Sequence, residues 1–124
     1  MKRDLDLIRK ILQAMESHEH GFAPSNISIE GYDDEQIGFH VYLAGQAGLL
    51  NVVDFTNTRT ASPLAKPTSL TWQGYEFLEA SRDEGLWSKA KQAAGSAGGM
   101  ALGVVNSVLV ELATEAAKKA AGVR

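Results

Sequence analysis

At Gly48 the period of the apolar residues changes, and that change constrains the fold more than any other feature of the chain. Before it, Ile37, Val41, Ala44 and Gly48 fall on one face of a helix. After it, Val53 and Phe55 alternate around Asp54 in LLNVVDF (49–55), as in a strand. Glycine at such a junction suits the C-terminal cap of a helix. Asp33 stands three residues before Gln36, a capping box with Asp in the Ser/Thr place. The spacing therefore predicts a helix over 34–47 that runs directly into a strand. TNTRTASPLAKP (56–67) has two prolines and small polar residues and reads as a long loop, with 69–71 as a short return strand.

The flanking segments are mostly helical. Asp4 is placed to cap a first helix, in which Leu5, Ile8, Leu12 and Met15 recur at 3-4-3 spacing and Ile11 widens the stripe. That pattern fails at Glu16–His20 and Gly21, before Pro24. Ile27 and Ile29 alternate with Ser28 and Glu30, a short strand. Thr71 is placed to cap a third helix carrying Trp72, Tyr75, Phe77, Leu78 and Ala80, with Gly85 as its interruption. Leu86, Trp87, Ala90 and Ala94 suggest a short fourth helix, and both tryptophans are expected to be buried. A last helix is expected over 99–121, where Leu102, Val105, Leu109, Leu112 and Ala116 keep 3-4-3-4 spacing. Met100, Val104 and Val108 broaden that stripe. Its breadth points to dimerisation through Leu102, Val105, Leu109 and Leu112, with Gly99 and Gly103 allowing close approach.

The element order is that of a winged helix. MKRDLDLIRKIL (1–12), HVYLAGQAGLL (40–50) and LTWQGYEFLEASRDEGLWSKAK (70–91) carry a further resemblance. In these three ordered motifs the chain is similar to the bacterial and prophage family known as domain of unknown function 2513, from residue 1 to about 115. The resemblance implies a winged-helix-like fold and a phage or prophage origin, and it supplies no catalytic residue. The expected fold is α+β and mainly α. A winged-helix-like domain over 1–94 has a β-hairpin as its wing, and a C-terminal helix over 95–124 packs on it or mediates dimerisation.

Charge and composition narrow the function. The 124 residues carry a net charge of −3 and no cysteine, which excludes a strongly basic nucleic-acid binder, disulfides and thiolate chemistry. Residues 21–60 set Arg59 against Glu30, Asp33, Asp34, Glu35 and Asp54, so the acidity is concentrated there. His18-Glu19-His20 is the nearest approach to a metal constellation, but its two histidines leave a zinc ion short of ligands. No nucleophile elbow, phosphate-binding loop or H-E-x-x-H motif is present. No catalytic residue, metal or cofactor is expected. The start, MKRDLDLIRK, lacks the apolar region of a signal peptide. Residues 92–110 are uncharged, with Gly95, Gly99 and Gly103 four apart, yet their Ala and Gly content is poor for insertion into lipid. A cytoplasmic protein without a membrane span is expected.

Two binding functions remain. In a DNA-binding regulator, helix 34–47 would enter the major groove through His40, and Arg59 and Lys66 would meet the phosphates from the 56–67 wing. In a protein-binding module the same scaffold would present another surface. Helix 34–47 contains no Lys or Arg and opens with three acids, which disfavours DNA. On its wheel, Glu35, Phe39, Tyr42 and Gln46 lie opposite the core face, and His40 sits at the edge of that core face as a hydrogen-bonded structural residue. The two aromatics are either covered by the C-terminal helix or offered to a partner. The expectation is a protein partner, a host factor if the origin is phage-like.

Overall fold

The computed structural model describes residues 1–96 and 102–122. Among them are five helices and one hairpin: α1 (Leu5–Ser17), α2 (Asp34–Gln46), β1 (Leu50–Asp54), β2 (Ala65–Leu70), α3 (Trp72–Ala80), α4 (Glu84–Ser96) and α5 (Leu102–Ala120). The class is α+β, mainly helical. The chain forms two compact units, Met1–Leu78 and Glu79–Arg124. Within the second unit α4 packs with α5.

In the first unit α1 is buried on more than its expected stripe. Leu5, Ile8, Ile11, Leu12 and Met15 are buried, and so are Leu7 and Arg9. Helix α1 packs on α2 and β2, and α2 packs on both strands. Ile37, Val41 and Ala44 of α2 complete its buried face. The capping box is formed as expected. Asp33 Oδ1 accepts from Gln36 N at 2.8 Å, and Gln36 Oε1 accepts from Asp33 N at 2.9 Å. Gly48 ends the helix with φ of +78°, a conformation that glycine adopts without cost.

The hairpin differs from expectation in its second strand. β2 begins at Ala65 rather than at residue 69, so the connection is shorter than the proline-rich stretch suggested. Pro67 is tolerated because a bulge lies beside it. Leu50, Asn51, Val52, Val53 and Asp54 face Leu70, Ser69, Pro67, Lys66 and Ala65, with the register shift between Asn51 and Val52. Thr68, the extra residue, turns its hydroxyl to the Asn51 carbonyl at 3.0 Å. The strand expected around Ile27 and Ile29 does not form. Phe22 instead makes a single bridge to Ser69, and Ala23 N donates to Thr68 O at 2.8 Å. Pro24 follows and has no N–H to continue the pairing.

Helix α3 starts at its expected cap, where Thr71 Oγ1 accepts from Gly74 N at 3.0 Å. Its buried side is Gly74, Phe77 and Leu78. Trp72 lies about 140° around the helix from Phe77, and this position overturns its expected burial. It is 77% exposed, whereas Trp87 is 2% exposed as anticipated. Gly85 does not break a helix. Asp83 Oδ1 accepts from Leu86 N at 3.0 Å, which places Gly85 in the first turn of α4.

In the second unit Trp87 and Ala90 of α4 and Val105 and Leu109 of α5 are buried. Val105 and Leu109, two of the four residues expected to mediate dimerisation, are thus buried within one chain. Leu112 is half-buried, and the side chain of Leu102 lies outside the described residues. So do the side chain of Val104 and the whole of Gly99 and Met100. Among the described residues no helix is long and apolar enough to cross a membrane.

One glycine sets how closely the hairpin approaches α3. A Cβ on Gly74 would collide with the Leu49 carbonyl oxygen and would also crowd Leu70 Cδ2 at 3.2 Å. Backbone cannot swing aside as a side-chain end can. Gly74→Ala should therefore destabilise the protein by about 2 kcal/mol in urea unfolding. Gly21→Ala, with nothing within 4 Å of its added carbon, should change stability by less than about 0.5 kcal/mol.

Candidate functional site

The position of α2 is fixed by a polar node at the start of α1. Asp4 Oδ1 caps that helix by accepting from Leu7 N at 3.2 Å, and Asp4 Oδ2 accepts from the Tyr32 hydroxyl at 2.9 Å. The Asp4 N–H donates to His40 Nε2 at 2.9 Å. His40 Nδ1 in turn lies 2.7 Å from the Gln36 carbonyl. An amide can only donate and a carbonyl can only accept, so the proton sits on Nδ1 and Nε2 is bare. The node joins α1, the residue before the capping box and the middle of α2. Lys10 Nζ stands 5.7 Å from the centre of the Tyr32 ring.

This arrangement removes His40 from any intermolecular role. It is 2% exposed with both ring nitrogens engaged, so the DNA contact considered for it has no access. Arg59 and Lys66, the other two residues of that reading, are exposed on the hairpin. Lys66 Nζ rests 5.2 Å from the centre of the Phe55 ring. The opposite side of α2 carries Glu35 and Gln46, both exposed, with Phe39 and Tyr42 half-buried between them. Gln46 Nε2 donates to the Tyr42 hydroxyl at 3.2 Å, and the Phe39 ring meets the His40 ring edge-on, 5.6 Å between centres. The structure thus brings the four expected partner residues onto one helix, without a cation among them.

Next to this face lie two hollows that the sequence reading did not locate. One, of about 360 Å³, opens where residues 24–27 leave β2; Pro24, Ile27, Ile37, Leu64 and Pro67 line it. The other, of about 290 Å³, lies between the start of α2 and the hairpin tip, lined by Glu35, Thr60 and Pro63. Asp34 and Leu64 belong to both. Glu35 Oε2 accepts from Ser62 Oγ at 3.4 Å across the second hollow. The signals were split between a segment read as a strand and one read as a loop, so their convergence was invisible. Tyr32 was also missed, although a tyrosine next to a helix cap needs a partner for its hydroxyl.

Two carboxylate environments bear on charge. The Asp4 carboxylate accepts a hydrogen bond from the Tyr32 hydroxyl, which raises the phenol above its ordinary value of 10.0; burial and the negative charge of Asp4 add to this. Asp54 is held below its ordinary range by hydrogen bonds from the Thr56 side chain and backbone. His18 and His20 meet edge-on, 5.6 Å between ring centres, and His20 Nε2 reaches Glu19 Oε1 at 3.0 Å. No group of three metal-ligating side chains occurs among the described residues.

A family model described as "Hypothetical protein (DUF2513)" matches residues 2–101, ending before α5 rather than near residue 115. An uncharacterized protein of Haemophilus influenzae is 35% identical over 94 residues, covering 73% of this chain and 76% of that protein. No solved structure matches the chain.

The Tyr32–Asp4 bond has a pH signature. The phenol donates only while protonated, and its value in the folded state is raised. Its stabilisation is therefore complete below the unfolded value and is lost as pH rises through the folded one. Tyr32→Phe should cost about 1 kcal/mol near neutrality, and its gap from wild type should hold up to about pH 10 and narrow as the pH rises above it. Denaturant midpoints of both proteins below and above that pH measure it; a gap independent of pH would contradict the assignment.

Proposed function

Because the chain belongs to the DUF2513 family, whose description assigns no activity, we propose its function from its own surface: a winged-helix-like module that recognises another protein and catalyses nothing. The winged-helix reading is supported by the order of elements. Helix α1, a one-pair strand at Phe22, helix α2 and the β1–β2 hairpin follow one another, and the hairpin's connection after Asp54 answers to the wing in this reading. Such a scaffold serves DNA-binding and protein-binding proteins alike, so the surface must decide.

The observation that carries this reading is the charge of α2. The helix next to the hairpin has no Lys or Arg, and it starts with Asp33, Asp34 and Glu35, all exposed. Insertion into a major groove would press these carboxylates toward phosphates, with Arg59 and Lys66 as the hairpin's only cations. A protein partner reverses the balance. Phe39 and Tyr42, rimmed by Glu35 and Gln46, have the composition of an interface centre with a polar edge. With the prophage setting that the family resemblance implies, a bacterial host protein is the favoured partner.

Pull-down from bacterial lysate with and without nuclease separates the two functions. A partner should survive nuclease and be weakened about tenfold or more by Tyr42→Ala, which leaves the His40 node intact. At about 0.15 M salt the protein should not shift random duplex DNA. Sub-micromolar duplex binding with a steep salt dependence, or loss of the captured material on nuclease treatment, would overturn the proposal.

A further inference from the structure

We infer that the two hollows sharing Asp34 and Leu64 are the seat of a partner's basic peptide segment, in which a Lys or Arg beside apolar residues pairs with Asp34. The inference rests on the protein-binding reading and specifies what that partner presents. Asp33 is consumed by the capping box, and Glu35 is tied to Ser62. Asp34, between them in sequence, is exposed, and its carboxylate makes no hydrogen bond or ion pair within the described residues. Its carboxylate is thus the free charge at the point where the hollows meet.

The linings around that charge are apolar. Pro24, Ile27 and Ile37 on one side and Pro63 on the other offer places for aliphatic side chains, with Leu64 between them. Asn26, on the lip of the first hollow, offers a side-chain amide to a peptide main chain. The one cation in either lining, Lys66, has its ammonium over the Phe55 ring. An acidic ligand would face Asp34 and Glu35 together, whereas a basic one gains a charge partner and can lay its aliphatic stem on Leu64. Charge complementarity therefore selects a cationic peptide over an acidic or phosphorylated one.

The test is a titration of the full chain with short synthetic peptides. Each has a central Arg, Lys, Gln or Glu flanked by Leu residues, by Ala residues or by Gly residues. The Arg and Lys peptides with Leu flanks should bind, the Gln peptide more weakly and the Glu peptide not at all. Asp34→Asn should weaken the Arg peptide about three- to tenfold, and Asp34→Lys should weaken it further. Unchanged helical circular dichroism of both variants shows that the loss is local. Binding indifferent to the central charge, no binding by any peptide, or binding unaffected by Asp34→Asn would each overturn the inference. Light scattering supplies one more outcome: self-association abolished by Asp34→Lys would make a second copy the occupant and overturn it too. If a protein partner survives nuclease and depends on Tyr42 while no peptide binds, the inference fails and the broader reading stands. If duplex DNA binds and no protein does, both fail.

Discussion

The hydrogen bond from the Asp4 amide to His40 Nε2 is the interaction on which the arrangement of the first unit turns. It joins residues 36 apart in sequence at the start of one helix and the middle of another. The Asp4 side chain is used twice more, for the α1 cap and for Tyr32, and its carbonyl accepts from Ile8 N at 3.1 Å. Every polar group of one residue is thereby satisfied at a partly buried position. A donor stripped of its partner there would cost about 1–3 kcal/mol, a large fraction of the stability of a small domain.

Fixing α2 at its midpoint settles what the rest of the unit presents. One side of the helix is committed to α1 and the hairpin through Ile37, Val41 and Ala44. The other side is left with its acids and its two half-buried aromatics. Gly48 turns the chain without an intervening loop, so the hairpin tip stands beside the acidic helix start, and the hollows around Leu64 follow from that proximity. The surface offered to a partner is therefore a consequence of packing as much as of composition.

Local signals were the legible ones. The cap at Asp4, the Asp33–Gln36 box, the glycine turn at 48 and the Thr71 cap all act within four residues, and each formed where its spacing placed it. Features set by distant partners were not legible. The start of β2 at Ala65 depended on a bulge that absorbs Pro67, which no local pattern announces. The failed strand at 27–29 lost its place because pairing with β2 stopped at Ala23. Trp72 looked like core because it is large and apolar, yet the helix turned Phe77 and Leu78 inward instead. The α5 stripe was correctly periodic, but periodicity does not say which surface covers it, and Val105 and Leu109 are buried without a second copy. His40 was readable as a structural histidine, and its partner at Asp4 was not.

The protonation of the His40 ring is the most direct probe of this account. The geometry requires the proton on Nδ1, toward the Gln36 carbonyl, and a bare Nε2 accepting from Asp4. A long-range proton–nitrogen correlation spectrum of the imidazole distinguishes the two tautomers. A protonated Nδ1 and an acceptor-type Nε2 are expected for His40. A proton on Nε2 would contradict this, since the Asp4 amide would then have no acceptor in the His40 ring and this hydrogen bond between the start of α1 and the middle of α2 would not exist.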